Sequence, residues 1–418
     1  MYESKKLREK LADLEPEEAE SLLRKLLKKT NDDKQKAMIS AILYEYVLIN
    51  NQKIESRSPS ITQNEKSLVS EDFRFETFFD IDGYARELRK APIYWPGSFW
   101  NDRNKRFIDE LDGVGLNDFK RTFNHSLGNF LVLDVRSPEF RDMLGSIDHH
   151  GSNGAFSDIR APYDARTFEK ALALNPSLSA PDPQAAYAVY SAFCSLVWDR
   201  ALLLDEAKVI PRMSEPLKGN PYRIERGDRL ISQDLARSAI EYNTISRFMN
   251  DNPVVLEIGA GYGRLAHAFY VMGVQKYIIV DVAPTLFLAQ TYIESIFPSA
   301  KIFKFESFEH LDLEKFNEAD FVFLSPNQIE LLPDASVDVS INIASFMEMT
   351  RDAVTRYMIE IDRVCSGILY TKQWVSHSRK LIDHQFGRYQ YPTRPNWKCV
   401  LDRADPMHWR FFEQVWRV

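Results

Sequence analysis

Two apolar rhythms divide the chain. In the C-terminal part, short continuous apolar runs recur at 254–256, 277–280 and 321–324 and predict strands, the first too uninterrupted for a half-exposed one, and 339–343 is a fourth strand. Between them the period changes to that of a helix. Leu265, Ala266, Ala268, Phe269 and Met272 precede Gly273; Leu286, Leu288, Ala289, Tyr292 and Ile296 follow Pro284; a third helix spans 351–365. Further strands are predicted at 301–305 and 367–372, with a terminal pair at 397–401 and 411–418. This alternation implies an α/β fold with a seven-stranded, mostly parallel, Rossmann-like sheet.

The N-terminal pattern is helical. Pro16 opens a helix with Glu17, Glu18 and Glu20 at its positive end, Lys28 and Lys29 at its negative end, and Leu22, Leu23, Leu26 and Leu27 along one stripe. A second helix from Asn31 or Asp32 carries Met38, Ile39, Ile42, Leu43, Tyr46 and Val47. The expected organisation is a helical hairpin at 1–53, which could associate with a second copy, a polar linker at 54–71, a mainly helical accessory and substrate-binding region at 72–230, and the sheet domain at 231–418. The accessory region holds a buried helix from Pro183 to Asp205 and the pair His149 and His150 in a loop-rich stretch; the sheet domain opens with Ser232 as the cap of a helix whose first turn carries Gln233 and Asp234.

Between the first two sheet strands, Gly259, Gly261 and Gly263 fall at every second position, after Glu257 and before a helix, and the next strand ends in Asp281. A strand, glycine turn, helix, strand and acid in this order place a ligand at a helix N-terminus and a carboxylate against ribose hydroxyls. A dinucleotide site wants a third glycine three residues after the second, for close approach of a pyrophosphate; here that residue is Arg264. The pattern E-x-G-x-G-x-G resembles instead the first motif of the class I methyltransferases that use S-adenosylmethionine (SAM). That resemblance implies SAM as cofactor, held by Glu257, Gly259, Gly261, Gly263 and Asp281, with Gln233 lidding the ligand and Asn327 and Gln328 standing where relatives place an acid for the adenine amino group.

Composition narrows the reading. The 418 residues are 44% hydrophobic and 12% aromatic, as in a folded multidomain protein, and the net charge of −7 leaves no basic footprint for nucleic acid. Three cysteines, Cys194, Cys365 and Cys399, lie far apart with no metal or disulfide spacing. The charged opening MYESKKLREK and the lack of an apolar run of about 20 residues predict a cytoplasmic chain with no transmembrane segment.

Further stretches resemble the bacterial sugar O-methyltransferase family found with surface-polysaccharide genes: GLNDFKRTFN at 115–124, EPLKGNP at 215–221, GDRLISQDLARSAIE at 227–241, SVDVSINIASFMEM at 336–349 and LYTKQW at 369–374. The resemblance implies methyl transfer to a sugar hydroxyl in glycan biosynthesis. Such a reaction needs a general base; Glu348, His377 and His384 are the candidates near the C-terminal edge of the sheet, with Asp383 able to orient a histidine. Related enzymes can use a divalent ion on vicinal hydroxyls, but no compact set of oxygen ligands names a metal site here. Methylation of a protein, amine or other small acceptor, and a non-catalytic scaffold on the same fold, are the alternatives; the second would be marked by a damaged glycine turn, and this one is intact.

Overall fold

Continuous β-branched and aromatic runs set the central sheet. In the computed structural model these are β1 (Val254–Ile258), β2 (Lys276–Val280), β3 (Ile302–Phe303), β4 (Phe321–Leu324), β5 (Val337–Ile343), β6 (Cys365–Trp374), β7 (Lys398–Ala404) and β8 (Phe411–Arg417). The structure describes residues 2–30, 79–114, 116, 119–122, 194, 197–221, 223–226, 229–375, 386–407 and 411–418, with isolated positions between 35 and 46. The linker at 54–71, His149 and His150, Asp383 and the candidate bases His377 and His384 lie outside the described residues.

The strands line up as β3-β4-β2-β1-β5-β6-β8-β7. β1 runs parallel to β2 and β5, β4 parallel to β2, and β6 parallel to β5, while β8 inserts antiparallel between β6 and β7. One expectation is corrected. The sheet has eight strands, because Ile302 and Phe303 pair with Phe321 and Val322 and extend the edge beyond β4. Without that short strand, the order is that of a class I methyltransferase fold, with the order reversing between β1 and β5. Open sheets of this kind bind ligands at such a reversal, outside the C-terminal strand ends.

Helices α1 (Tyr2–Leu11) and α2 (Pro16–Lys29) come first, then α3 (Ile81–Lys90), α4 (Ser98–Val114) and the single turn α5 (Phe119–Thr122). Around the sheet lie α6 (Gln233–Ser246), α7 (Arg264–Val271), α8 (Ala283–Ile296), α9 (Leu313–Glu318) and α10 (Arg351–Val364). Their ends follow the sequence: the Ser232 hydroxyl accepts the Leu235 amide at the start of α6, and Thr350 does the same for Ala353 at the start of α10. Residues 197–204 are helical and buried, forming the last turns of the helix expected from Pro183.

The N-terminal stripe packs on this body. Leu23 is fully buried, Leu22, Leu26 and Leu27 lean on the same apolar cluster, Arg24 Nη1 donates to the Leu203 carbonyl at 2.6 Å, and Lys208 Nζ meets Glu20 Oε1 at 2.6 Å. Among the described residues no helix is long and apolar enough to cross a membrane.

Truncating Leu23 to alanine is therefore expected to lower the unfolding free energy of the whole chain by about 2–4 kcal/mol. Denaturant titration read by both helix and tryptophan signals should show one shifted transition. A melt of α2 alone that leaves the sheet transition in place would contradict this docking.

Candidate functional site

The turn after β1 is built from left-handed backbone. Gly259, Gly261 and Gly263 have φ of +76°, +61° and +87°, a region that a side chain makes costly. At Gly259 a Cβ would also stand 2.1 Å from Ser345 Oγ, so the turn passes flush against the loop after β5. The Gly259 amide donates to the Val280 carbonyl at 2.8 Å and the Gly263 amide to the Ala260 carbonyl at 3.2 Å, which closes the turn on itself and on β2.

Asp281, at the end of β2, faces this turn. Its Oδ2 accepts the Gly261 amide at 3.0 Å and its Oδ1 the Val282 amide at 2.7 Å. Desolvation raises the carboxyl to about 7, against the pull of the Val282, Gly261 and Ala260 amides. A carboxylate so placed suits donors that replace lost water, as vicinal ribose hydroxyls do. The glycine turn and Asp281 therefore fit a nucleoside cofactor.

The other expected cofactor residues separate into distinct roles. Glu257 is buried, accepts the Tyr277 hydroxyl at 2.7 Å, and is raised to about 8 by burial despite that bond; it braces the two strands beneath the turn. Gln328 caps a helical turn: its Oε1 takes the Ser325 amide at 2.9 Å and its Nε2 donates to the Glu306 carbonyl at 2.8 Å. Asn327 is likewise engaged, its Oδ1 accepting Ser325 Oγ at 2.9 Å and its Nδ2 donating to Glu87 at 3.0 Å. Gln233 is 1% exposed, and neither its amide oxygen nor its nitrogen has a hydrogen-bond partner.

Buried charges hold the turn in place. The Arg264 guanidinium, at the position of the missing dinucleotide glycine, turns away from the ligand side to pair with both oxygens of Glu241 at 2.5 and 3.1 Å and with Ser238 Oγ at 2.8 Å. Burial alone would raise Glu241, but Arg264 and Lys372 hold it down to about 2. Lys372 on β6 continues the chain, 3.1 Å from Glu241 and 2.5 Å from Asp405. Beside it, Asp234 receives the Tyr262 hydroxyl at 3.1 Å and is raised by burial to about 7. Lys120 Nζ pairs with Glu215 and lies 4.6 Å from the centre of the Tyr292 ring, which fastens the 119–122 and 213–221 segments under the same turn. His267 on α7 is fully buried and held neutral, near 3, by that burial, which makes it a packing residue.

At the strand ends, Asn342 Nδ2 donates to the Ile258 carbonyl at 2.8 Å, its Oδ1 accepts the Phe346 amide at 2.9 Å, and Gln373 Nε2 donates to that same oxygen at 2.6 Å. This clip sets the SFMEM loop, where Glu348 is half-buried and its Oε2 accepts the Trp100 indole N–H of α4 at 3.0 Å. Asn342 had a signal in the sequence, as a polar residue inside the apolar run of β5. The partners Trp100, Lys120, Glu215 and Glu87 had none, since each is paired across a long separation. Among the described residues no group of three or more His, Cys, Asp or Glu could hold a metal ion.

No family model and no curated protein matches the chain. Among solved structures it is similar to a SAM-dependent methyltransferase from Aquifex aeolicus (15% identity, 43% of this chain, 88% of that chain, TM-score 0.30). It is also similar to an S-adenosylmethionine-dependent methyltransferase from Mesorhizobium loti (11% identity, 43% of this chain, 97% of that one, TM-score 0.30). A third likeness is to Haemonchus contortus phosphoethanolamine N-methyltransferase 1 in complex with phosphoethanolamine and S-adenosylhomocysteine (13% identity, 55% of this chain, 49% of that one, TM-score 0.30). At these scores the likenesses add no weight to the strand order itself.

The raised carboxyl of Asp281 has a measurable consequence. A ligand whose hydroxyls donate to the carboxylate favours the ionised form, so it lowers that group's pKa and releases a proton when it binds below about pH 7. The affinity for S-adenosylhomocysteine should be level above about pH 8 and fall as pH drops through 7, and Asp281→Asn should remove that dependence. Calorimetry across pH 5.5 to 9 checks it; a pH-independent affinity for the unaltered chain would contradict it.

Proposed function

We propose that the chain is a SAM-dependent O-methyltransferase acting on a sugar hydroxyl. The observation that carries the cofactor reading is the turn of three left-handed glycines facing Asp281, at the C-terminal strand ends where the order reverses. Gly259, Gly261 and Gly263 would hold the methionine half, and Asp281 the ribose. SAM, when bound, supplies a methyl group activated by a sulfonium. Arg264, locked to Glu241, stands where the dinucleotide motif has its third glycine, and this departure favours SAM over a dinucleotide.

The acceptor reading rests on Glu348 and Trp100. A carboxylate held by the indole N–H of α4 lies one turn after Ser345, the residue that abuts Gly259, and the Glu348 amide donates to the Ser345 carbonyl at 2.9 Å. Glu348 takes the hydroxyl proton as the acceptor oxygen attacks the methyl carbon, and the indole N–H orients its carboxylate. Sugar specificity follows the resemblance of the 115–124, 215–221 and 227–241 segments, two of which the buried Lys120–Glu215 pair joins to each other, with Lys120 Nζ 5.7 Å from the ring centre of Tyr262 in the glycine turn. His377 and His384 stay as alternative bases.

Mass spectrometry of surface glycan from strains with and without the gene tests the acceptor: loss of a methyl-sized increment supports a sugar, and unchanged glycan argues against it. With the acceptor known, Glu348→Gln is expected to reduce turnover about 10²- to 10⁴-fold while S-adenosylhomocysteine affinity stays within about twofold. Near-normal turnover would transfer the role to His377 or His384. Asp281→Ala should weaken cofactor binding by about 1.5–3 kcal/mol through loss of charge-assisted bonds.

A further inference from the structure

Helix α3 precedes the sheet domain by more than a hundred residues, yet its buried face reaches the cofactor side of the sheet. Gly83, Tyr84, Glu87 and Leu88 are its buried residues, one helical stripe. Glu87 Oε1 accepts Ser307 Oγ at 2.6 Å and its Oε2 accepts Asn327 Nδ2 at 3.0 Å, which ties the helix to the segments on either side of β4. Just before the helix, the Phe79 ring stacks on Phe305 at 5.2 Å and meets Phe287 of α8 edge-on at 5.8 Å. The Tyr84 ring packs edge-on against Phe305 at 5.8 Å. These anchors surround the residues that join β2 to α8, the segment that begins with Asp281.

Within that packing the Tyr84 ring is buried, and among the described residues its hydroxyl finds no acceptor for its hydrogen, while the Ala283 amide faces its oxygen. The polar groups that act on it are the Ala283 amide and the Asp281 carboxylate, and burial drives the phenol far above its ordinary range, so it stays a neutral donor. Buried hydroxyls are nearly always bonded, and one left open beside a ribose-type carboxylate calls for a ligand group.

We propose that α3 forms one wall of the cofactor cradle and that Tyr84 Oη is a direct ligand of the bound nucleoside, donating to a ribose hydroxyl beside Asp281. The inference rests on the nucleoside reading of the glycine turn and extends it to a residue outside the sheet domain. The chemistry is complementary: a ribose hydroxyl that donates its hydrogen to Asp281 keeps lone pairs that can accept from the phenol. The accessory region then closes over the cofactor as well as meeting the acceptor.

Calorimetric titration of S-adenosylhomocysteine, adenosine and 2′,3′-dideoxyadenosine into the unaltered chain and Tyr84→Phe tests this, with thermal unfolding of both proteins without ligand. The expected result is about 5- to 10-fold weaker S-adenosylhomocysteine and adenosine binding by Tyr84→Phe. Its unliganded midpoint should be unchanged or higher, because the removed hydroxyl donates to no group among the described residues, and the two proteins should bind the dideoxy probe alike. Failure of the unaltered chain to bind S-adenosylhomocysteine would overturn the cofactor reading itself. Binding by the unaltered chain with equal affinity in Tyr84→Phe would overturn the Tyr84 assignment alone. So would a lowered unliganded midpoint with the same loss for the dideoxy probe, which would mark Tyr84 as packing.

Discussion

The path from β1 into α7 exists because residues 259, 261 and 263 have no Cβ. Each sits at positive φ, and at Gly259 the neighbouring Ser345 leaves no room for a methyl group. Everything near the site is referred to this turn: Asp281 receives one of its amides, Asn342 holds the last carbonyl of β1, and α7 begins at Gly263. Glycine enters this backbone without strain but loses more conformational freedom than any other residue on being held there, so the surroundings must fix it.

The fixing is done largely by buried charge. Arg264 joins α7 to Glu241 on α6, and Lys372 joins Glu241 to β6 and Asp405, so helix, turn and sheet share one ionic chain. Such pairs add little net stability against apolar packing, but removing one partner leaves an uncompensated buried charge at a cost of about 3–5 kcal/mol. The network therefore makes alternative placements of the turn expensive. Desolvation raises every buried carboxyl here; where no bidentate guanidinium offsets it, it lifts Asp281 and Asp234 to about 7 and Glu257 to about 8. One low-dielectric floor thus yields both a rigid arginine clamp and carboxyls that titrate near neutrality.

How much of this was legible in the sequence depended on the distance over which each feature is decided. The glycine turn, the apolar strands, the caps at Ser232 and Thr350 and the acid at 281 are set by neighbours within a few residues, and period and spacing reveal them. Ile302 and Phe303 read as a strand, but their place at the sheet edge is decided by pairing with β4. Gln328 shared its position with an expected adenine contact, while its side chain closes a capping box that depends on Ser325 three residues away. Lys120 with Glu215, and Glu87 with Asn327, are pairs 95 and 240 residues apart, and no local pattern announces them. These distant pairs bring the accessory region onto the cofactor side.

The central claim is that the turn was built for a nucleoside without a pyrophosphate. Parallel calorimetric titrations of S-adenosylhomocysteine and NAD into the full chain test it most directly. The account predicts stoichiometric binding of S-adenosylhomocysteine, displaced by SAM, and no heat from NAD. Saturable NAD binding with no response to either sulfur ligand would contradict it.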